Sequence, residues 1–378
     1  MANSKDKRCA LLWNHIRVAP HGQVTPCCLF DPLGVTDEYP EMPDISNGLE
    51  AAFNSDFFNY IREKMIKGEE PEPCKWCYEL ETMSEGSHRL IHNKLYDVDA
   101  EPKIRYVHTG LTNHCNLACR MCGPRESTKW VQYLNPKEKV DINFKNSVID
   151  YYDADLSELD RVKFTGGEPL IDKHHVKFLE KLFDMSKDPS SIQIEYTTNG
   201  TVRPNASTIE FWKRCKSVLV EFSVDGIGEV NEILRPPHKW EKILDTIEYI
   251  KSIDNVNFKF EVGTVVSVAN ILCLNDILDW SIDTFNVFPN VTPLEHPKHL
   301  SMFYQKQDVR LQIIEHLKTN LLGKYSKYND TVDQSIMFAI SRLHNDEEEQ
   351  YSLIDVIEKD SRHDFYKDSI QKLLTGYK

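Results

Sequence analysis

The sequence predicts an α/β protein: a partial barrel of six β/α units, preceded by a cysteine-rich module and followed by a helical extension. Strand and helix patterns alternate from about residue 103, and eight of the ten cysteines precede residue 123. Residues 305–378 show mainly helical patterns. A chain of 378 residues holds one large domain and a smaller one. We therefore expect three regions: 1–100, 101–300 and 301–378.

The first region is rich in cysteine and turn residues. Residues 1–100 contain five cysteines, and the single clear helical pattern there spans Leu49–Ile66. A module with so few periodic segments needs cross-linking, which a bound metal would supply.

The second region alternates strands with helices, which predicts parallel strands joined by right-handed crossovers. Six units are too few for a closed eight-unit barrel, so we expect a partial barrel. The predicted strands are Ile104–Thr109, Arg161–Phe164, Ile192–Thr197, Val218–Val224, Asn257–Val266 and Phe285–Val287. The predicted helices are Glu126–Tyr133, His174–Phe183, Ala206–Cys215, Trp240–Ile253 and Ile271–Ile282.

Charge and hydropathy narrow the function classes. A net charge of −14 argues against non-specific nucleic-acid binding, which depends on Lys and Arg neutralising phosphates, but leaves a local basic groove open. No run of about eighteen apolar residues is present, so we expect no membrane span. The apolar stretch Cys9–Trp13 is too short for a signal peptide, which predicts a cytoplasmic protein. In a reducing compartment, clustered cysteines indicate metal ligands rather than disulfides.

Three cysteines lie on one short loop after the first predicted strand of the barrel. Cys115, Cys119 and Cys122 have CxxxCxxC spacing. Three thiolates hold three irons of a cubane cluster and leave the fourth iron open to an external ligand. The alternative is a zinc site, although zinc usually takes four ligands and CxxC is its commoner spacing.

Three further motifs follow successive strands. Gly166, Gly167 and Glu168 allow close backbone approach and offer a carboxylate to an amino group. Asn199 precedes Gly200 in a turn. The segment Ser223–Gly226 is followed by Arg235, whose guanidinium suits a carboxylate. Each motif alone is also explained by a tight turn or a helix entry.

The order of these motifs resembles the radical S-adenosylmethionine (SAM) superfamily. The resemblance implies that the three loop cysteines bind a [4Fe–4S] cluster whose open iron holds SAM, and that SAM cleavage yields a 5′-deoxyadenosyl radical. It further implies that the GGE motif binds the methionine amino group and that the Ser and Arg contact the ribose and carboxylate. Met121 stands where the family usually has an aromatic residue near adenine. The implied SAM contacts are Met121, Gly166, Gly167, Glu168, Asn199, Ser223 and Arg235.

The N-terminal cysteines resemble the auxiliary-cluster segment of SPASM and twitch domains. Gly22 and Cys27 form GxxxxC after Cys9, and Cys74 and Cys77 form CxxC. The resemblance implies one auxiliary [4Fe–4S] cluster, placed before the barrel rather than after it. Cys28 is a rival to Cys27 as a ligand. A structural zinc site is the alternative, since four cysteines with a CxxC pair also suit zinc.

These resemblances imply an oxidoreductase that abstracts hydrogen from a substrate, with the auxiliary cluster as electron acceptor or substrate anchor. A peptide or protein substrate is the first expectation, with oxidation or cross-linking as the outcome. A sugar or nucleotide is the second, and a non-catalytic metal scaffold or redox sensor is the alternative of another class. An external donor such as flavodoxin or ferredoxin would supply electrons. Asp225 and Tyr196 are candidates for proton transfer.

Overall fold

In a computed structural model of the protein, the described residues form one eight-stranded sheet. The structure describes residues 6–82, 86–133, 154–329, 331–345, 347, 349–360 and 367–377. The strand order is β2-β1-β3-β4-β5-β6-β7-β8, parallel except for the β1–β2 hairpin. The strands are β1 His15–Val18, β2 Val24–Thr25, β3 Tyr106–Gly110, β4 Arg161–Thr165, β5 Gln193–Thr198, β6 Ser217–Ser223, β7 Phe258–Val266 and β8 Asn290–Pro293.

Helices follow most strands, as the alternating pattern predicts. The parallel strands β3–β8 and their helices confirm a partial barrel with a cysteine-rich module before it and helices after it. The α-helices are α1 Leu11–Asn14, α2 Leu49–Phe53, α3 Asp56–Ile66, α4 Lys75–Glu81, α5 His88–Asn93, α6 Lys173–Met185, α7 Ala206–Trp212, α8 Glu229–Leu234, α9 Trp240–Lys251, α10 Leu274–Phe285, α11 Gln307–His316, α12 Val332–Leu343, α13 Leu353–Asp360 and α14 Lys367–Leu374.

The predicted strand Phe285–Val287 is wrong. Helix α10 continues to Phe285, whose ring stacks on Phe222 and Phe260 from the helix side. Asn286 then takes the left-handed conformation (φ 56°) that commonly ends a helix. The last strand of the sheet is β8, a few residues later.

Two helical patterns also differ from the structure. The single helix predicted over Leu49–Ile66 is interrupted at Ser55, whose hydroxyl accepts a hydrogen bond from the Phe58 N–H and caps α3. The predicted helix Glu126–Tyr133 is a 3₁₀ helix over Thr128–Tyr133.

The N-terminal region contributes strands that the sequence patterns did not indicate. Strand β1 pairs in parallel with β3, with Arg17 opposite His108 and His15 opposite Tyr106. Gly22 turns the β1–β2 hairpin at φ +93°, a conformation that favours glycine. The cysteine-rich region therefore extends the barrel sheet, although the boundaries at residues 100 and 300 stay a prediction.

The two faces of the sheet differ in polarity. One face is apolar, buried under the helices, and includes Val107, Phe164, Ile194, Tyr196 and Phe222. Alternate residues point to the other face, as the period of a strand requires. That inner face carries His108, Lys163, Glu195, Glu221 and Glu261. None of the helices in the described ranges is long and apolar enough to cross a membrane.

Candidate functional site

The three-cysteine loop follows β3 and is held by hydrogen bonds from its own backbone and from two side chains. The Cys122 N–H donates to the Cys119 carbonyl at 3.0 Å. The Ser127 hydroxyl donates to the Leu117 carbonyl at 2.6 Å, and the Trp130 indole donates to the Cys119 carbonyl at 3.1 Å. These bonds fix the path of the loop, and with it the positions from which the predicted ligands Cys115, Cys119 and Cys122 project.

The GGE motif packs directly on this loop. The Gly167 N–H donates to the Thr112 carbonyl at 3.0 Å, and the Glu168 N–H donates to the His114 carbonyl at 2.8 Å. A Cβ on Gly167 would lie 2.1 Å from the His114 carbonyl oxygen, and one on Gly166 would lie 2.7 Å from the Thr112 oxygen. The two glycines therefore serve the contact between the two loops.

Glu168 is a buried carboxylate held by three donors. Its side chain accepts from the Leu170 N–H at 3.0 Å, the Thr198 hydroxyl at 2.8 Å and the Asn199 N–H at 2.7 Å. Burial raises the pKa of Glu168 to about 7, although these hydrogen bonds act in the opposite direction. The carboxylate is oriented in advance as a hydrogen-bond acceptor.

Asn199 links the carboxyl end of β5 to the cysteine loop. Its amide donates to Asn116 Oδ1 at 2.9 Å and lies 3.8 Å from Cys115 Sγ. Thr201 closes the arrangement, because its hydroxyl donates to Asn199 Oδ1 and accepts from the Asn116 amide. Sequence reasoning did not single out Asn116 and Thr201, although each lies within two residues of a predicted site residue.

Arg235 joins the segment that follows β6 to the same loop. Its Nε lies 2.6 Å from Asp225 Oδ2, and its Nη1 lies 3.9 Å from Cys119 Sγ. Asp225 is completely buried and is also held by the Val265 N–H at 2.8 Å. The cysteine loop contacts the same segment, since the Ala118 N–H donates to the Pro236 carbonyl. Arg235 is thus a buried cation beside the thiols.

The remaining predicted residues occupy different surroundings. Ser223 ends β6 with its side chain on the inner face, and Met121 packs against the core from a half-buried position. Tyr196 lies on the opposite, helix-facing side, where its ring stacks on Phe164 and its hydroxyl accepts from the Trp212 indole at 3.1 Å. Of the two candidates for proton transfer, Asp225 therefore lies near the site and Tyr196 does not.

The thiols of the loop interact with one another electrostatically. Burial raises the pKa of Cys115 to about 12. The hydrogen bond between Cys122 and Cys119 raises the pKa of Cys122 and lowers that of Cys119, to which Arg235 adds a further lowering. Three neighbouring thiols beside a cation fit a cluster that bears thiolate charge.

The four predicted auxiliary ligands line one cavity in the N-terminal module. Cys9, Cys27, Cys74 and Cys77 surround it together with Arg89. Burial raises the pKa of each of these thiols. Four thiols suffice to close one cubane cluster. Arg89, whose guanidinium pairs with the Glu81 carboxylate, lies at the edge of the same cavity.

The exposure of the cysteines distinguishes Cys27 from Cys28 as the predicted ligand. Cys28 is exposed and does not line the cavity. In the part of the chain that the structure describes, no three Cys, His, Asp or Glu side chains are grouped as ligands of a single metal ion.

Comparison with known proteins agrees with this geometry. The family profile of the radical SAM superfamily matches residues 110–279, and that of the SPASM iron–sulfur cluster-binding domain matches residues 9–78. This chain belongs to the radical SAM superfamily. It is a SAM-binding, iron–sulfur enzyme with a SPASM module at its N-terminal side.

Individual relatives cover only parts of the chain. An uncharacterized protein of Methanocaldococcus jannaschii is 31% identical over 58% of this radical SAM chain and 71% of its own length. The GTP 3′,8-cyclase of Alkaliphilus oremlandii is 25% identical over 48% of this chain and 52% of that enzyme. The chain thus spans about half the length of that cyclase. The solved structure of anSMEcpe with bound AdoMet is 20% identical, with a TM-score of 0.38, over 56% of this chain and 58% of that one.

Proposed function

We propose that this radical SAM enzyme cleaves SAM reductively and abstracts hydrogen from a peptide or protein substrate. The observation that carries the proposal is the convergence of the three-cysteine loop, Glu168 and Arg235 at the carboxyl ends of β3, β4 and β6. Cys115, Cys119 and Cys122 would hold the SAM-binding [4Fe–4S] cluster. When bound, the cluster and SAM supply a 5′-deoxyadenosyl radical.

The residues around the loop would bind and orient SAM. Glu168, already held by three donors, would accept a hydrogen bond from the methionine amino group. Arg235 would bind the methionine carboxylate through guanidinium hydrogens that Asp225 does not use. Ser223, Asn199, Met121 and the backbone of the two glycines complete the proposed contacts.

The auxiliary module would hold a second [4Fe–4S] cluster through Cys9, Cys27, Cys74 and Cys77. One proposed role of this cluster is to accept an electron from the substrate, which would make the enzyme an oxidoreductase. The other is to anchor the substrate. A small donor protein such as flavodoxin or ferredoxin is the proposed source of reducing electrons. We also propose that residues 1–100, 101–300 and 301–378 are its three functional regions.

A peptide substrate is supported by an open cleft between the module and the last strand. The cleft, of about 1220 Å³, runs between α4 on one side and β8 with α12 on the other. His88 and Leu29 line both this cleft and the four-cysteine cavity. Asn290, Val291 and Thr292 are exposed along the edge of β8, and an extended peptide adds readily to a free strand edge.

The decisive experiment separates the two clusters. After anaerobic reconstitution we expect about eight irons per chain, and about four after the double substitution Cys74→Ser/Cys77→Ser. The double variant should still form 5′-deoxyadenosine from SAM without substrate, because the first cluster is untouched, but should lose substrate turnover. Cys215→Ser, a half-buried thiol bonded to the Trp212 carbonyl, is the matched control. Zinc without labile sulfide in the wild type would overturn the proposal.

A nucleotide substrate is the second candidate, because several relatives are GTP 3′,8-cyclases. Incubating the reduced holoenzyme with GTP and with pooled peptides, and following each by mass spectrometry, separates the two. Loss of two hydrogens or a new cross-link in a peptide supports the first candidate. Consumption of GTP together with SAM supports the second.

A further inference from the structure

The inner face of the barrel contains charged side chains that mostly neutralise one another. Arg161 pairs with Glu195, and Lys163 pairs with Glu221 at 3.0 Å. Glu221 also accepts from the Thr197 hydroxyl at 2.6 Å. These pairs satisfy the cations on β4 without any substrate.

Arg17 on β1 is different. Its Nη1 lies 3.5 Å from the Thr25 hydroxyl, and in the described ranges of the chain Arg17 forms no ion pair with a carboxylate. It is partly buried on the inner face, in register with His108, which is in turn in register with Lys163. A partly desolvated guanidinium that spends one donor on a hydroxyl can still offer its other N–H groups to a carboxylate.

Arg17 lies deeper in the barrel than the proposed SAM contacts, which are at the carboxyl ends of the strands. Its register partner His108 precedes the end of β3, Gly110, by two residues, which is about 7 Å along a strand. At that end, Pro20 of the hairpin packs against Gly110 and Gly166, since a Cβ on Gly110 would lie 2.7 Å from Pro20 Cγ. Arg17 thus lies deeper in the barrel than the loops of the site, which Pro20 of the same hairpin contacts.

The surroundings of Arg17 are also uncharged or cationic on the β3 side. His108 is buried, its Nε2 lies 3.0 Å from Thr165 Oγ1, and burial lowers its pKa well below the usual value. Glu261 lies on the inner face of β7, where its carboxylate accepts from Asn290 at 3.0 Å and forms no ion pair within the described ranges. The β1 side of the barrel therefore favours a negative group.

From this arrangement we infer that Arg17 recognises an acidic group of the substrate, a carboxylate, inside the barrel. This inference rests on the proposed function, since it assigns a substrate class to the same site. It also gives the N-terminal module a second role besides its cysteines, because β1 carries Arg17 into the barrel.

The test measures binding rather than turnover, so its failure is distinct from failure of the proposed function. The probes are capped hexapeptide pools with Glu, Gln, Asp or Asn at one central position and no other acidic residue. Saturation-transfer NMR on the oxidised, SAM-loaded holoenzyme reports which pools bind. We expect the acidic pools to bind about tenfold more tightly than their amide counterparts.

Substitution of Arg17 should then change selectivity. Arg17→Gln should abolish the preference, and Arg17→Lys should retain part of it, which also guards against a folding defect in the first variant. Arg105→Gln, at an exposed arginine just before β3, should leave the preference intact. Equal binding of acidic and amide pools by the wild type, or an unchanged preference in folded Arg17→Gln, would overturn the inference. SAM cleavage coupled to a substrate without an acid would do the same while leaving the proposed function standing.

Discussion

At the scale of single residues, the candidate site depends on buried charges that have specific partners. Glu168 is held by three donors although burial raises its pKa to about 7. Arg235 and Asp225 form a buried pair at 2.6 Å. Each group is costly to bury, and each is oriented in advance for a ligand or a neighbour.

The protonation of Glu168 should control SAM binding. Because its pKa is raised, the carboxyl is largely neutral below about pH 6 and becomes a charged acceptor as the pH rises through about 7. We expect SAM affinity, measured by anaerobic equilibrium dialysis, to increase between about pH 6 and pH 7.5. Glu168→Gln should lower the affinity about tenfold and remove the increase. Glu210→Gln, on the exposed side of α7, is the control; a flat wild-type profile would contradict the prediction.

Asp225 should matter for stability as well as for the site. Asp225→Asn leaves the Arg235 guanidinium buried without a counter-charge, which we expect to lower the free energy of unfolding by about 3 kcal/mol. Urea denaturation checks this value. Asp245→Asn, which breaks the exposed pair with Arg203, should have little effect. Equal unfolding midpoints for the two variants would show that the buried pair is not stabilising.

At the scale of elements, the site is made by loops that contact one another at the ends of successive strands. The cysteine loop after β3 shares backbone hydrogen bonds with the GGE loop after β4 and with the segment after α8. Neither the cysteine loop nor the GGE loop contains a helix or a strand, so the contact between the two loops helps to position both. Close backbone approach is the physical reason for the two glycines.

Gly167→Ala tests this contact. The added methyl would lie 2.1 Å from the His114 carbonyl oxygen, a backbone atom, so the two loops must separate. We expect the variant to lose the SAM-binding cluster, seen as a drop of about four irons per chain, while the auxiliary cluster stays. Gly376→Ala meets only the flexible end of Leu272 at 3.2 Å and should keep the full iron content. Full iron content in Gly167→Ala would show that the close contact between the two loops is not needed to hold the cluster.

At the scale of the whole molecule, the cysteine-rich region and the barrel share one sheet. Strand β1 covers the edge of β3, and Lys103 and Arg105 donate backbone hydrogen bonds to Trp13 and Asn14. Across the cleft, the Trp76 ring of α4 contacts the Phe338 ring of α12, with the ring centroids 5.7 Å apart. The regions on either side of residue 100 are therefore joined by main-chain pairing.

A chain reduced to residues 101–378 should reveal this dependence. Removing β1 uncovers the edge of β3 and the apolar residues packed beside it, and an exposed strand edge promotes aggregation. We expect the shortened protein to aggregate or to unfold without a cooperative transition, followed by light scattering and circular dichroism. A soluble, cooperatively folded product would show that the barrel is independent of the module.

The sequence by itself determined the superfamily and the class of fold. Spacing alone grouped Cys115, Cys119 and Cys122, because ligands on one loop are close in space whatever the rest of the chain does. The 3.6-residue and two-residue periods also located α6, α9 and the strands β4–β7, since these elements are long and have one apolar face.

Only the tertiary structure decided which distant residues meet. It turned Cys27 rather than Cys28 toward Cys9, Cys74 and Cys77, and it placed Tyr196 away from the site. It also added β1, four residues long, to the sheet and carried Arg17 into the barrel. A strand that short has too little periodicity to be recognised, because its stability comes from pairing with β3 rather than from its own residues.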